Sequence, residues 1–217
     1  MDFYFASYEG SGEVRNDVLT DVLDNRLVSY YVMENGNYDA YLLTKYHKYY
    51  SSMMLDSGAF AAWGQRIEIY HKDYVRYCLD QRYIDKYDYF VVLDRIPRRD
   101  ENPDECARTS LEHYEYMVEE FAKAGVKTNK VIPVYHQGED STFLEKLLNM
   151  GAEYIGLSPS NDPLNKTEQK REFLNSCWDV CMSAGRPKAK FHAFGLSNMS
   201  LLREFKDLLY SADAKTW

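Results

Sequence analysis

The stretch VIPVYHQGEDSTFLEKLLNMGAEYIGL, residues 131–157, carries two short apolar runs separated by a longer helical pattern. The runs at 131–135 and 154–157 are rich in β-branched and aromatic residues, which predicts buried strands. The helical pattern ends at Asn149-Met150-Gly151, because glycine adopts the left-handed conformation that closes a helix. A strand, a helix and a second strand in this order predict two parallel strands joined by a helical crossover.

The same order of elements recurs on both sides of this stretch. The clearest helix starts at Pro103-Asp104 and stops at Gly125, and Ser183-Ala184-Gly185 repeats the glycine stop before another apolar run. Eight strands with helical crossovers predict an α/β fold, a (β/α)8 barrel of TIM type formed by residues 1–217 as one domain. The remaining predicted strands are Phe3–Ser7, Leu27–Val32, Met53–Leu55, Tyr89–Leu93, Phe191–Phe194 and Tyr210–Ala212.

An open, doubly wound sheet is the alternative architecture. Its dinucleotide-binding version needs a G-x-G-x-x-G motif after the first strand, and the sequence has none there. The region before the third predicted strand is the hardest to interpret. VLTDVLDNRL, residues 18–27, indicates a short helix, whereas NGNYDAYLL, residues 35–43, indicates a turn followed by no recognisable pattern.

Composition limits the partners and the compartment. The formal charge of −8 gives no overall attraction to nucleic acid, so such a partner needs a local basic patch. No apolar run is long enough to cross a membrane, and MDFYFASYEG, residues 1–10, lacks the pattern of a signal peptide. We therefore expect a cytoplasmic protein without a membrane partner. The cysteines lack the paired spacing of a zinc site, which favours helix packing over metal binding: Cys78, Cys106, Cys177 and Cys181.

Polar and small residues follow most of the predicted strands. In a parallel barrel the carboxyl ends of all strands meet at one face, where reactive groups are usually found. We therefore expect a functional face there, although an aspartate in this place can also cap the next helix and a glycine can simply serve a turn. The residues concerned are Asp56 with Ser57 and Gly58, Asp94 with Arg95, His136 with Gln137 and Gly138, Ser158 with Pro159 and Ser160, Gly195 with Ser197 and Asn198, and Asp213.

Six segments resemble motifs of the tRNA-guanine transglycosylases and their DNA-modifying relatives. LDSGAF (55–60) resembles the DSGGFQ-type motif, and VVLD (91–94) resembles the strand with the guanine-reading aspartate. The segments keep the family's order from about residue 52 onward, and the closest likeness is to short relatives, often phage-encoded, that insert 7-deazaguanines into DNA. The other segments are VYHQG (134–138) for V-Q-G, YIGLSP (154–159) for G-G-L, HAFGLS (192–197) for H-x-x-G-x-G, and YSADAKTW (210–217) for the segment with the nucleophile.

The resemblance implies base exchange at a glycosidic bond without a cofactor. Asp213 looks like the nucleophile that attacks C1′ of a guanosine nucleotide, expels guanine and forms a covalent glycosyl-enzyme. Asp56 looks like the general acid and base that protonates guanine and deprotonates the incoming 7-deazaguanine. Asp94 would accept hydrogen bonds from N1–H and the 2-amino group of the purine. The other implied substrate contacts are Gln137 at the 6-carbonyl with a backbone N–H near Gly138 or Gly156, Phe60 on the base plane, and Ser57 and Gly195 around them.

A nucleic-acid surface is expected beside Asp94, with DNA favoured over tRNA. An enzyme that works at C1′ must take its target nucleotide out of the stack, and cations beside the site would hold the phosphates. The alternative interpretation is a solvated loop whose cations pair with Asp100 and Glu101. For His136 and His192 we expect packed, hydrogen-bonded histidines rather than proton shuttles. The candidate phosphate contacts are Arg95, Arg98 and Arg99, with a second basic cluster at residues 186–190.

The sequence also departs from the family pattern. Ala59 replaces the second glycine of the DSGGFQ-type motif, Ala61 stands where many members have glutamine, and no zinc cluster follows. Because the chain stops at Trp217, shortly after Asp213, we expect the last outer helix to be absent. A partner chain, an oligomer or a downstream segment would then close the barrel, or the chain is a truncated copy. A carboxylate-dependent nucleoside or glycoside hydrolase and a non-catalytic nucleic-acid- or nucleotide-binding protein are the alternative functions.

Overall fold

A computed structural model describes residues 1–6, 24–35, 47–98, 100–159, 166–183 and 189–214. In these ranges the strands number nine and every pair of neighbours is parallel. They are β1 Asp2–Ala6, β2 Asn25–Ser29, β3 Ser52–Asp56, β4 Tyr89–Val91, β5 Val131–Ile132, β6 Val134–His136, β7 Tyr154–Ser158, β8 Lys190–Ala193 and β9 Ser211–Ala214.

Helices connect the strands. Short 3-10 turns at His47–Tyr49, Ile84–Lys86 and Thr128–Lys130 precede β3, β4 and β5. Within the described ranges no helix is both long enough and apolar enough to cross a membrane. The α-helices are α1 Tyr30–Asn35, α2 Ala59–Gln65, α3 His71–Cys78, α4 Pro103–Lys123, α5 Ser141–Asn149, α6 Thr167–Ser183 and α7 Met199–Glu204.

The sheet closes on itself into a barrel. Its strands follow the order β5-β4-β3-β2-β1-β9-β8-β7-β6, so that β5 and β6 stand at its two ends. These two strands are consecutive pieces of the chain, separated by Pro133, which has no N–H to give to a ladder. The Pro133 carbonyl still accepts from the Gly156 N–H at 2.8 Å, and the Ile132 carbonyl accepts from the Val92 N–H at 2.9 Å. The predicted α/β barrel of TIM type is confirmed, and the open-sheet alternative is wrong.

Side chains point alternately into the barrel and toward the helices along each strand, so the buried residues form two separate clusters. Met53 and Leu55 belong to the large cluster that contains the buried helix residues, whereas Met54 belongs to a smaller cluster built from strand residues alone. Because successive side chains of a strand point to opposite faces, the smaller cluster fills the barrel interior. Its buried members are Tyr4, Ala6, Leu27, Met54, Val91, Ile132, Val134 and Tyr154.

One helix prediction is confirmed, and the bounds of one predicted strand are wrong. The helix predicted from Pro103-Asp104 to Gly125 is α4, where the Asn102 side chain accepts from the Asp104 N–H at 2.9 Å and Gly125 has φ 71°. The strand predicted at Leu27–Val32 is wrong in its bounds. β2 ends at Ser29 and Tyr30 begins α1, because packing overrides the β-propensity of the Tyr-Tyr-Val run there.

Several sequence expectations lie wholly or partly outside the described residues. They concern Ser7, most of residues 18–27, the tract at 36–43, Ala184-Gly185, and the segment after Ala214 where an outer helix was in question. From residue 25 onward, the tract that indicated a short helix forms β2 instead.

Candidate active site at the carboxyl ends of the strands

Asp56 ends β3 and is held in place by the turn that follows it. The Gly58 N–H donates to Oδ2 of Asp56 at 3.0 Å, and the Ala59 N–H donates to Oγ of the fully buried Ser57 at 3.3 Å. Gly58 has φ 80°, and a Cβ there would lie only 2.3 Å from Cβ of Tyr31. The D-S-G sequence is thus explained locally: the serine hydroxyl accepts from the N–H of the first residue of α2, glycine makes the turn as the N-cap, and its N–H orients the carboxylate.

The side chains of Asp94, His136 and Glu139 form a buried chain. Nε2 of His136 lies 2.8 Å from Oδ2 of Asp94, and Nδ1 lies 2.9 Å from Oε1 of Glu139. The three side chains are 9%, 5% and 2% exposed, respectively. Gly138, with φ 103°, turns the chain so that Glu139 folds back and also accepts from the His136 N–H at 3.0 Å.

The hydrogen bonds among Asp94, His136 and Glu139 determine the charge of the histidine. Burial alone would lower the pKa of His136, but the hydrogen bonds to Asp94 and Glu139 outweigh burial and raise the pKa to about 10. At neutral pH the imidazolium therefore donates from both ring nitrogens. Asp94 has its Oδ2 occupied, while its Oδ1 makes no hydrogen bond to any residue that the structure describes.

Asp213 on β9 ends a second chain of hydrogen bonds. Its Oδ1 accepts from the Gly195 N–H at 3.0 Å and lies 3.1 Å from Nε2 of His192. Nδ1 of His192 lies 2.6 Å from Oγ of Ser211, which in turn lies 2.5 Å from the Tyr154 hydroxyl. With the imidazole proton on Nε2, each hydroxyl donates along the chain toward Asp213.

The arrangement leaves Asp213 with one oxygen fixed and one open. Its side chain is 9% exposed, and its Oδ2 makes no hydrogen bond within the described part of the chain. A carboxylate whose ring-facing oxygen is anchored by a backbone N–H and an imidazole cannot rotate freely. The second oxygen is therefore presented in one direction, as a nucleophile requires.

All three aspartates lie at the same face of the barrel. Asp56 and Asp213 belong to β3 and β9, and Asp94 comes shortly after β4. Asp56 follows the interior residue Met54 by two positions, and Asp213 likewise follows Ser211, whose hydroxyl contacts the interior Tyr154. Alternation therefore directs Asp56 and Asp213 toward the barrel axis.

A cavity of about 530 Å³ lies beside this face, between the α2 side of the barrel and the segment after β4. Asp94 lines it, but Asp56 and Asp213 do not. The three carboxylates thus share a face of the barrel, and this cavity reaches only one of them. The wall also contains His71 and His113, whose rings stack with centroids 3.9 Å apart. Burial and the neighbouring His113 lower the pKa of His71 to about 4, so His71 is neutral at physiological pH.

The other implied substrate contacts have different surroundings. The Gly156 N–H is used in the sheet, bonding Pro133, and a Cβ at Gly156 would lie 2.2 Å from the Phe194 ring. Gly156 therefore does not offer this N–H to a base carbonyl, and its lack of a side chain serves packing. The Gln137 side chain donates from Nε2 to the Gln169 carbonyl of α6 at 3.3 Å. Phe60 is 48% exposed and stacks on Trp63.

The arginines predicted to contact phosphates have different surroundings. Arg95 pairs with Glu101 at 2.5 Å, as the solvated-loop alternative expected. Arg98 is exposed and lines the cavity, and it contacts Glu101 through backbone atoms alone: its N–H donates to Oε2 at 2.9 Å, and its carbonyl accepts from the Glu101 N–H at 3.1 Å. Arg99 lies outside the described residues, as do Arg186 and Lys188 of the second basic cluster. The Nζ atom of Lys190 lies over the Tyr210 ring, 4.1 Å from its centroid.

Sequence reasoning missed the residues that hold the aspartates. Glu139 and Ser211 were not singled out, although each is buried and bonded to a histidine beside an aspartate. The H-x-x-E spacing at His136 was a usable signal, because the intervening Gln137-Gly138 permits a turn. Among the described residues, no group of three or more His, Cys, Asp or Glu side chains is placed to hold a metal ion.

Comparison with known proteins gives no family. No protein-family model matches the sequence, and no curated protein matches it.

Proposed function

We propose that this chain is a guanine transglycosylase-like pentosyltransferase, which replaces guanine in a nucleic acid, DNA in preference to tRNA, by a 7-deazaguanine base. The proposal rests on the transglycosylase-like motifs and on one structural observation above the others. Asp213, at the carboxyl-end face of the barrel, has one oxygen anchored by Gly195 and His192 and the other unpaired among the described residues. An anchored carboxylate with one available oxygen supports the role of nucleophile.

The reaction takes place in two displacements. Oδ2 of Asp213 attacks C1′ of the target nucleotide, the C1′–N9 bond breaks with its electron pair going to guanine, and Asp56 in its acid form supplies the proton. The incoming base then gives its N9 proton to Asp56 and attacks C1′, which breaks the bond to Asp213. Atoms and charge balance without a cofactor, because one base leaves as the other enters.

Asp94 supplies the recognition of the base. Its Oδ2 is bonded to the His136 imidazolium, and its Oδ1 makes no hydrogen bond to a described residue and can accept from a ligand. The N1–H and 2-amino groups of guanine form a donor edge that a carboxylate satisfies. The buried chain through His136 to Glu139 supports this role, since it fixes the orientation of the Asp94 side chain.

The deciding experiment follows bases in nucleic acid. The purified chain is incubated with labelled guanine in single-stranded and duplex DNA and in tRNA, together with candidate 7-deazaguanines, and the nucleosides are analysed by mass spectrometry. We expect label to leave as a 7-deazaguanine nucleoside appears, without abasic sites. Abasic sites with no new nucleoside would indicate the hydrolase alternative, and no change in any substrate would contradict both enzymatic functions.

Variants test the role of Asp213. Asp213→Asn keeps the size of the side chain but removes the anionic nucleophile, so exchange and the covalent protein–nucleic acid adduct are both lost. Asp179→Asn, an exposed aspartate on α6, is the matched control and keeps full activity. Full exchange by Asp213→Asn, with correct folding by circular dichroism, would show that the nucleophile is another residue.

A further inference from the structure

An exposed apolar strip lies next to the cavity. Phe60, Trp63, Ile67 and Tyr70 are 48%, 37%, 46% and 68% exposed, and we call these four residues the aromatic lip. They come from a single segment that comprises α2 and the chain leading to α3. Soluble proteins rarely keep several large apolar side chains exposed side by side unless the surface has a partner.

The backbone holds the aromatic lip against the cavity. Arg66 ends α2 in the left-handed conformation, with φ 57°, and the Ile67 N–H bonds back to the Ala62 carbonyl at 2.9 Å. This turn directs the following segment along the cavity, and Trp63, Ile67 and Tyr70 all line it. The lip and the cavity are therefore continuous, and Asp94 belongs to the same lining.

The charges on this surface differ from those of the whole chain. The chain carries a formal charge of −8, but the cavity is lined by Arg66, Arg95 and Arg98. Arg95 is paired with Glu101, whereas Arg66 and Arg98 make no ion pair within the described residues. On the acidic side, Asp94 is paired with protonated His136, which leaves Glu68 as the remaining carboxylate of the lining. The local balance is positive.

Exposed rings beside unpaired guanidinium groups match one class of partner. Single-stranded nucleic acids offer base faces that stack on aromatic side chains and phosphates that attract arginine. An intact duplex hides those faces within its stack. The cavity volume of about 530 Å³ falls within the range of sites that bind small molecules. Nε2 of His71 in the wall is buried without a partner in the described structure, and a bound polar group would satisfy it.

We propose that the aromatic lip and its cavity bind unpaired nucleotides of the acceptor strand, next to the nucleotide that undergoes exchange. Bases stack on Trp63 and Tyr70, and the phosphates between them lie against Arg66 and Arg98. The inference rests on the proposed function in naming a nucleic acid as the acceptor. It adds that the protein holds a single strand, or a locally opened duplex, through base stacking rather than through the backbone alone.

A guanine-free oligonucleotide separates this binding from the exchange reaction. The probe is a fluorescent oligothymidylate of about twelve nucleotides, within the range of sites for single strands. Its binding to the full chain is measured by anisotropy, and the same strand annealed to oligodeoxyadenylate is the comparison. We expect the single strand to bind more tightly than the duplex. Tighter binding of the duplex, or no binding of the single strand at about 50 mM salt, would overturn the proposal.

Variants locate the binding surface. Trp63→Ala and Tyr70→Ala should each weaken binding of the single strand about 5- to 150-fold, the usual effect of removing one stacked base contact. Arg98→Ala should lower the slope of log affinity against log salt by about 0.7, which corresponds to one phosphate contact on a single strand. Trp178→Ala, another exposed tryptophan at 36% but located on α6, should bind as the wild type does.

The other outcomes are equally informative. Unchanged affinity in Trp63→Ala and Tyr70→Ala, with correct folding by circular dichroism, would overturn the proposal even if exchange is observed. Conversion of a dimer to a monomer by these variants, without a change in strand affinity, would identify the lip as a contact between copies of this chain. Strand binding that depends on the lip, in a protein that exchanges no base, would support this inference and contradict the proposed function.

Discussion

Nε2 of His136 lies 2.8 Å from Oδ2 of Asp94, inside a barrel rim where both side chains are at most 9% exposed. Glu139 approaches the opposite ring nitrogen, so a buried cation is placed between two carboxylates. Such an arrangement fixes the ring and both carboxylates at once, because breaking either contact leaves a buried charge without a partner. The orientation of Asp94 is therefore determined by His136 and Glu139, which need not contact a ligand themselves.

The first prediction concerns the pH dependence of stability. The pKa of His136 is raised in the folded state from 6.5 to about 10, so its contribution to stability is fully present below about pH 6.5 and is lost as the pH rises through about 10. His136→Gln should lower the free energy of unfolding by about 3–5 kcal/mol near neutral pH. The deficit should shrink toward pH 10. Urea unfolding of wild type and variant across this range measures the difference.

His71→Gln is the control for that experiment. The folded-state pKa of His71 is lowered to about 4, so its contribution is lost as the pH falls from 6.5 toward 4, on the acid side. Replacing His71 should therefore leave the change in the free energy of unfolding between about pH 6.5 and pH 10 as it is in the wild type. A His136→Gln deficit that is the same at pH 6 and above pH 10 would show that His136 is not held as a cation.

The second prediction concerns the turn after Asp56. Gly58→Ala would place a Cβ 2.3 Å from Cβ of Tyr31 and 2.6 Å from Oγ of Ser29, at a φ of 80° that disfavours any other residue. We expect a loss of about 2–4 kcal/mol in the free energy of unfolding and a loss of base exchange, because the N–H that orients Asp56 is displaced.

Gly64→Ala is the matched control for Gly58→Ala. Gly64 lies within α2 and has nothing within 4 Å of the position of a Cβ. Alanine there should raise the free energy of unfolding by about 0.5–1 kcal/mol, because it favours the helix. Thermal unfolding of the two variants side by side tests the assignment. Equal effects of both substitutions would mean that the close approach to Tyr31 does not constrain the turn.

The third prediction is that a second substitution at Phe194 relieves the loss of stability caused by Gly156→Ala. Gly156→Ala would bring a Cβ to 2.2 Å from the ring of Phe194, so it should lower the free energy of unfolding by about 1–3 kcal/mol. In a Phe194→Leu background the same substitution should cost much less, since the ring is gone. A double-mutant cycle by chemical denaturation measures this coupling. Additive effects of the two substitutions would place the constraint on Gly156 elsewhere.

The barrel fold could be predicted from the sequence, because its strands are buried on both faces and are therefore recognisable as short apolar runs. The sequence also placed Asp56, Asp94 and Asp213 at strand ends, since that needs only the strand bounds and the parallel order. It did not predict that Asp94 meets His136, or that Asp213 meets His192. The first pair spans the two sides of Pro133, and the second joins the neighbouring strands β8 and β9. Both depend on the register between separate strands, which no local pattern encodes. The role of Gly156 was missed for the same reason.

The last prediction concerns the support of Asp213 by Ser211. Ser211 is fully buried and its hydroxyl contacts both His192 and Tyr154, so Ser211→Ala leaves two buried polar groups without a partner. We expect a loss of about 1–3 kcal/mol in the free energy of unfolding for each group. Tyr154→Phe added to Ser211→Ala should recover part of that loss, because it removes the unsatisfied hydroxyl and leaves only Nδ1 of His192 without a partner.

The kinetic effect of Ser211→Ala separates positioning from folding. His192 loses its fixed orientation, so Asp213 is less well held, and kcat for the proposed exchange should fall about 10- to 100-fold while KM changes little. Ser52→Ala is the control, because Ser52 makes a comparable bond to the Tyr4 hydroxyl at 2.7 Å and is not bonded to His192 or Asp213. It should alter stability modestly and leave kcat unchanged. A Ser211→Ala variant that carries out the proposed exchange with wild-type kcat would show that the hydrogen bonds from Tyr154 to Asp213 serve the barrel interior alone.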